Sequence, residues 1–598
     1  MKALTKISVA EIQDASKKIM DHLRGNKKIS DDPEMINLFV EASILGKDVF
    51  KDYLAEHEAW DFDKEKPAIN LDNLNQDIAH IEDTQLKHET EFASYISKCR
   101  KVVESDTHLL LNNTIMEIDQ NLRGLVISYV LHEINKEYGI IYKNVIPPEI
   151  IWLMLSLAGS NNNEILCPFI FSEILGIAAS SNANRIYNIY NETELLTIKY
   201  KNIENLSYIY NSLFHTDLHE EDVKKYDTTL AVLPQMRIRK SLFTELDDQY
   251  KSTSFPLQGL NKIISYTKNK IVALVSKDFL TSSGVSETHF KEQLLQKNLL
   301  DMVIELPDST IPDHKTNYSI IVLNKNRDKH QNIVFFDASE DYSEPRKFPY
   351  KHNILSGWDD VLQGIHKNQH RHLLLIPADD PDDILADVDF SPKRHIYTKS
   401  YLQAFDTVYK PLERIAHLMR GDPLIDPESV NDEEFQNHDS LYYEASIRDI
   451  GPYNIVKQPE KRLKNVNSIT KKRKELILKP HDILLSIKGI VGHVALVPDM
   501  GGQKWISNQS FQIIRVQENY DPVALFYQLQ SKKIQHMITI RETGTTIRQI
   551  KIDDIKSLPI PILKPKQINC IKDHHREVIN FIAKIDENCR IIFDELDT

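Results

Sequence analysis

A chain of 598 residues is too long for a single hydrophobic core, so three or four domains are expected. Hydrophobic residues make up 41% and charged residues 27%, the balance of an ordinary soluble globular protein. A net charge of −14 argues against a protein that coats nucleic acid non-specifically, yet it leaves room for a local basic cleft. No apolar run reaches membrane-spanning length, so no membrane partner is expected. Met1–Leu23 reads as an amphipathic helix rather than a signal peptide. Cys99, Cys167, Cys570 and Cys589 are scattered without a C-x-x-C pair. That speaks against a structural zinc or a disulfide framework and fits a reducing cytoplasm.

Residues 1–140 read as a helical domain. Apolar residues recur at three and four spacing in Ile36, Leu38, Phe39, Ala42 and Leu45, and again from Ile115 to Val130. Asp31-Asp32-Pro33 opens one helix as a cap followed by proline at its first position. From 141 to 345 short apolar runs alternate with helical stretches. Such alternation predicts an α/β domain with a mostly parallel, Rossmann-like sheet. Residues 346–440 read as a helical connector with an acidic stretch, Asp379-Asp380-Pro381-Asp382-Asp383. Residues 441–564 are rich in strands and turns, an α+β pattern, and 565–598 form one long terminal helix. His366, His370 and His372 have metal-like spacing, but no acid or cysteine completes a site, and a polar helix face is expected there.

Within the α/β stretch, Tyr226-Asp227-Thr228-Thr229-Leu230-Ala231-Val232-Leu233-Pro234-Gln235 resembles the motif (F/Y)-D-x-x-(L/A)-x-N-P-P-(F/Y) of adenine-N6 DNA methyltransferases. In that family the asparagine and the adjacent proline backbone hold the adenine amino group, and the aromatic residue stacks on the flipped base. Val232 stands at the asparagine, Leu233 and Pro234 at the two prolines, and Gln235 at the aromatic. Other segments follow in the order of the modification subunit of type I restriction systems. Ile146-Pro147-Pro148-Glu149-Ile150 resembles T-P-x-E-V. Cys167-Pro168-Phe169-Ile170-Phe171-Ser172-Glu173 sits where D-P-A-C-G-(T/S)-G is found.

The resemblance implies that those glycines let the backbone approach S-adenosylmethionine. Phe171 and Glu173 occupy two of the glycine positions. Glu192 falls where an acid would hold the ribose hydroxyls, and Asp217 where an acid would face the cofactor adenine. These four positions are expected to be vestigial. Lys277-Asp278-Phe279-Leu280, Asn298–Pro307, Tyr318–Asn326 and Phe336–Ser339 continue the match over roughly 141–345.

Leu478–Val497 resembles L-x-x-G-D-(I/V)-L-(I/L)-(S/A)-x-x-G-x-(I/V)-G-(K/R)-x-(A/G), the core of the target recognition domain of type I specificity subunits. Alternating apolar residues there predict a hairpin, with Gly489 and Gly492 marking tight backbone. Trp505–Phe511, Leu525–Ser531, Gly544–Ile550 and Leu558–Leu563 with Gln567 continue that resemblance. It implies loops that read base edges in the major groove. Ser486, Lys488, Lys504, Arg541, Thr545 and Arg548 are the candidate DNA contacts. Lys461, Arg462, Lys464, Lys471, Lys472, Arg473 and Lys474 form basic runs that suit phosphate.

The terminal helix carries an apolar stripe resembling the spacer helix of those specificity subunits. One recognition domain per chain would then give a homodimer and an interrupted palindromic target.

The expected protein is a catalytically degenerate methyltransferase-like subunit that binds double-stranded DNA in a prokaryotic restriction or antiphage complex. No cofactor is expected. An effector, a nuclease or an ATPase, would come from another chain, since the sequence has no Walker A motif. Two alternatives stay open: an active, S-adenosylmethionine-dependent adenine methyltransferase, and a scaffold that binds proteins.

Overall fold

The computed structural model describes residues 6–25, 33–46, 98, 101–102, 104–139, 145–159, 164–181, 185–190, 206–210, 225–237, 252–312, 316–343, 352–367, 370–377, 388–403, 408–421, 442–463, 475–542 and 548–596. Glu192, Asp217, Lys464, Lys471, Lys472, Arg473, Lys474 and Thr545 lie outside them, as does the side chain of Arg462. Among the described residues no helix is long and apolar enough to cross a membrane. The chain divides into two compact units, Met1–Lys393 and Arg394–Thr598.

The first unit is built on a nine-stranded mixed sheet. Its strands in chain order are β1 (Glu164–Pro168), β2 (Arg185–Tyr190), β3 (Leu206–Tyr210), β4 (Tyr226–Leu233), β5 (Thr267–Ser276), β6 (Leu300–Glu305), β7 (Tyr318–Asn324), β8 (Ile333–Asp337) and β9 (Leu373–Ile376). They lie in the order β9-β8-β6-β7-β5-β4-β1-β2-β3. Five of the eight pairings are parallel. The other three involve β7 or β9 and are antiparallel. Near-continuous apolar runs make these central strands, because a sheet covered on both faces needs no polar alternation. Residues Ile271 to Ser276 of β5 are all buried, and so is every residue of β6.

The winding reverses between β1 and β4. From β1 the chain steps outward to β2 and β3, then returns to β4 on the other side of β1. Such a switch point opens a crevice outside the carboxyl ends of the two strands, where open α/β sheets hold their ligands.

The described N-terminal helices share one core with the sheet. One apolar cluster runs from Ile12 in α1 (Lys6–Arg24) through the sheet to Ile365 in the helix Trp358–Lys367. Helix α2 (Gln120–Tyr138) packs on α3 (Glu173–Ala179), which leads away from β1. The contact is close at Gly124, where an added Cβ would overlap the carbonyl oxygen of Ile177 and the Oγ of Ser180. Beside it, the Leu125 amide donates to Ser181 Oγ at 3.0 Å.

Described parts of the segment 346–440 take part in sheets. β9 closes the sheet edge against β8. Further on, β10 (Tyr409–Pro411) and β11 (Ala416–Arg420) belong to the second unit, where they pair with β18 (Pro559–Pro561) and β17 (Phe511–Val516). Of the three histidines, only His366 is helical. His370 stacks on Phe336 with ring centroids 5.0 Å apart, and His372 Nδ1 lies 3.7 Å from Asp341.

The second unit holds a four-stranded sheet of β11, β17, β14 (Ile483–Ser486) and β15 (Val494–Leu496). A three-stranded sheet joins β12 (Tyr442–Ala445), β13 (Arg462–Leu463) and β16 (Lys504–Ser507). The expected hairpin is β14–β15, paired through Leu485↔Val494, and Gly489 and Gly492 both take positive φ in its turn. Asp482, just before β14, is buried and takes both ends of Arg515 at 2.9 and 2.7 Å. That planar pair fixes the start of β14 against β17. His481, at the glycine position of the recognition motif, carries φ +68. The turn needs left-handed backbone, which a side chain adopts at a cost. The terminal helix α8 (Pro565–Leu596) packs its first half on α6 (Pro522–Gln530), with Tyr527 OH 3.2 Å from His575 Nδ1.

Two stability changes of opposite sign follow. Gly124→Ala drives α2 and α3 apart and lowers stability by about 1–3 kcal/mol in urea denaturation. His481→Gly relieves the turn and raises stability by about 0.5–1 kcal/mol in the same assay.

Candidate cofactor crevice and nucleic-acid interface

At the end of β1 the chain turns on Phe169, whose φ of +70 is rare for an aromatic residue. The turn feeds a single 3₁₀ turn, Ile170–Ser172, and then α3. Across the crevice, helix α4 (Phe255–Tyr266) begins with Phe255. The Phe169 ring meets Phe255 edge-on at 5.0 Å, and Phe171 meets it at 6.3 Å. Phe169 and Phe255 are each 6% exposed and Phe171 is half-buried. On α4, Gly259 has no side chain of its own; an added Cβ would sit 2.6 Å from Leu233 Cδ2 and 3.6 Å from Phe169 Cε2. Leu233 and the three aromatic rings thus cluster near the ends of β1 and β4.

Hydrogen bonding draws the same two strands together. Ser172 is fully buried, and its Oγ accepts from the Val232 amide at 2.9 Å. The Val232 side chain is buried and offers no acceptor to an exocyclic amine. Pro234 is buried too. Cys167, at the motif's aspartate position, is wholly buried, and burial pushes its thiol pKa up, so it stays neutral. Glu173 is half-buried in the first turn of α3, where a carboxylate suits the helix dipole.

Gln235 is exposed beyond β4, and its Oε1 accepts from Ser276 Oγ at 2.8 Å. Gln235 borders a cavity of about 180 Å³ lined also by Arg237, Ser252, Asp278, Ser282 and Glu287. Glu287 takes a hydrogen bond from Ser252 at 2.9 Å. The wall is polar, with both signs of charge.

In the second unit the expected DNA contacts separate into groups. Lys488 and Arg548 come together at the β14–β15 turn, where Lys488 bridges to Gln549 and the Gly489 amide donates to the Arg548 carbonyl at 2.9 Å. Both side chains are exposed, and Arg548 lies 3.4 Å from Glu542. Lys461 and Lys504 both flank β12. Lys461 pairs with Glu444 at 2.6 Å, and Lys504 Nζ sits 5.7 Å over the Tyr442 ring.

Ser486 and Arg541 must be withdrawn as surface contacts. Ser486 is fully buried; its hydroxyl donates to the Ile490 carbonyl and accepts from the His493 amide, which shapes the turn. Arg541 is 7% exposed and donates to the Met537 carbonyl and to Thr398 Oγ1.

One constellation beside that turn escaped sequence reading. Tyr453 and Asn454 both have φ +60, and Tyr453 is 60% exposed. His493 Nε2 donates to Asn454 Oδ1 at 3.1 Å, and Asn454 Nδ2 donates to Gln530 Oε1 at 2.6 Å. The available signal was Gly451-Pro452 followed by an asparagine, a turn pattern.

Comparison with known proteins gives two family matches and a set of distant folds. No curated protein matches the chain. A type I restriction-modification methyltransferase subunit from Streptococcus thermophilus is 13% identical, with 64% of this chain and 98% of that one covered and a TM-score of 0.40. The type IIG restriction endonuclease BpuSI is 13% identical over 79% of this chain and 64% of its own, at a TM-score of 0.38. A modification subunit of a putative type I restriction enzyme from Vibrio vulnificus is 12% identical over 64% and 94%, at 0.37. Residues 236–366 match the family model "N-6 DNA Methylase", and 434–569 match "Type I restriction modification DNA specificity domain". The chain therefore carries an N-6 DNA methylase region followed by a type I restriction-modification DNA specificity domain.

Proposed function

We propose that this protein is a DNA-reading subunit of a prokaryotic restriction or antiphage complex, with a methyltransferase-like body that no longer methylates. The observation that carries the reading is the aromatic closure of Phe169, Phe171 and Phe255 at the switch point of the sheet. Methyl transfer to adenine needs a cofactor cradle there and an acceptor on β4. The residues present do not fit S-adenosylmethionine. Rings stand where backbone would have to approach the cofactor, and the Ser172–Val232 bond ties the two strand ends together. Val232 replaces the side chain that would hold the amine, and Gln235 replaces the ring that would stack on the base. The body is then a platform for the reader, and an effector, a nuclease or an ATPase, joins from another chain.

The specificity-domain match over 434–569 supports duplex DNA as the partner. Lys461, Lys488, Lys504 and Arg548 are exposed cations in the described part that we assign to it. Arg462 and the basic run Lys471, Lys472, Arg473 and Lys474 extend the proposal, as does Thr545.

Self-association rests on α8. Ile568, Ile571, His575, Val578, Ile582, Ile585, Cys589 and Ile592 recur at alternating steps of three and four, a heptad seam. The seam is half-buried as far as Ile582. Beyond it, Ile585 and Ile592 are 49% and 55% exposed. A second copy covering that half would make a two-fold pair of readers.

The functional reading is tested by selecting bound duplexes from a random pool, then offering them with labelled S-adenosylmethionine. One interrupted palindrome is expected, bound about 10³-fold or more over random DNA at physiological salt, without methyl incorporation. An unenriched pool contradicts the reading, and labelled adenine establishes the enzyme alternative. Sedimentation velocity at micromolar concentration is expected to give a dimer for the wild type. The double variant Ile585→Asp, Ile592→Asp should be a monomer. A wild-type monomer, with and without DNA, overturns the pairing.

A further inference from the structure

We infer that Tyr453, backed by Ile490, is an apolar wedge that enters the bound duplex and unstacks one base step. This rests on the DNA-reading function above and names the residue that would deform the target. Tyr453 is in the left-handed region at φ 60 and ψ 19, a strained conformation for a bulky side chain. Such outliers persist only where the surroundings over-determine them, and they gather at binding sites.

The surroundings here are explicit. Asn454, also left-handed, is gripped by His493 on one side and Gln530 on the other. The Gly451 amide closes the loop onto the Ile455 carbonyl at 2.8 Å. The effect of this scaffolding is to hold an aromatic ring out of the protein, 60% exposed.

Ile490 lies in the β14–β15 turn. It sits three residues before His493, the residue bonded to the Tyr453 loop, and is 64% exposed. Its turn is rigid. Ser486 Oγ binds the Ile490 carbonyl, the Gly489 amide binds Arg548, and Gln535 Nε2 binds the Gly492 carbonyl at 2.9 Å. An exposed isoleucine alone means little. Two apolar side chains on braced loops, beside the cations Lys488 and Arg548, suit a duplex: the cations hold phosphate and the apolar pair fits between bases.

The experiment uses the full-length protein and a duplex recovered by selection, carrying 2-aminopurine at successive positions. Wild-type protein is expected to raise the fluorescence at one step, and Tyr453→Phe to retain the rise. Tyr453→Gly is expected to abolish it and to weaken specific binding about tenfold or more, the scale of a lost base–aromatic stack. Affinity for random DNA should stay within about twofold, since the phosphate contacts that carry it are kept. The same variant should melt at a higher temperature than the wild type, because glycine relieves the strain. A merely structural tyrosine would give the opposite shift. Wild-type binding without any fluorescence rise, or undiminished specific binding by Tyr453→Gly, overturns the wedge and leaves the reading function standing. A wild type that binds no duplex overturns both.

Discussion

The turn at Phe169 decides what the first unit has room for. A parallel sheet whose winding reverses between β1 and β4 leaves a crevice at that point, and its use depends on what the connecting loop places there. In this chain the loop bends with a left-handed phenylalanine whose ring meets Phe255, Phe171 also meets Phe255, and Leu233 and Phe169 both lie close to Gly259. Burying aromatic surface at the end of a sheet stabilises it. A ligand cradle has to leave the same volume open. Stability and ligand binding compete for one crevice, and in the function proposed above the side chains here serve packing. The Ser172–Val232 hydrogen bond works in the same direction, since it uses a backbone amide at the tip of β4 for internal cohesion.

The second unit makes the contrary choice at its surface. Three described non-glycine residues of this domain carry positive φ, Tyr453, Asn454 and His481, and all lie in turns. His481 stands in a turn secured by the buried Asp482–Arg515 pair, which compensates a local cost with a firm anchor. Tyr453 is secured through its neighbour Asn454, and its own ring stays in solvent. A fold that tolerates strain while exposing the strained side chain has gained nothing in packing from it. Binding is the role proposed above for it.

Much of the architecture was legible in the chain. The runs Thr228–Leu233 and Lys270–Ser276 are too uniformly apolar for a one-faced strand, and both lie in the middle of the sheet. The long terminal helix expected over 565–598 likewise runs unbroken from Pro565 to Leu596. Where residues meet across long sequence separations, the pattern said less. The amphipathic N-terminal helices announced a buried face, but not that it lies on the sheet's core. Ser486 and Arg541 carry groups that suit DNA, and only tertiary placement reveals that a turn and a pair of backbone partners take them up. The altered motif drew attention to Phe171 and Glu173 at glycine positions. A ring more deeply buried than that of Phe171 belongs to Phe169, at the motif's alanine, because backbone handedness cannot be read from a substitution alone.

The most direct test of the proposed closure of the crevice is calorimetric titration of the full-length protein with S-adenosylmethionine in the presence of mixed-sequence DNA. Closure predicts no binding heat up to millimolar cofactor. Saturable binding in the micromolar range would mean that the rings around Phe169 move aside, and it would contradict the account of this protein as a reader that has lost its chemistry.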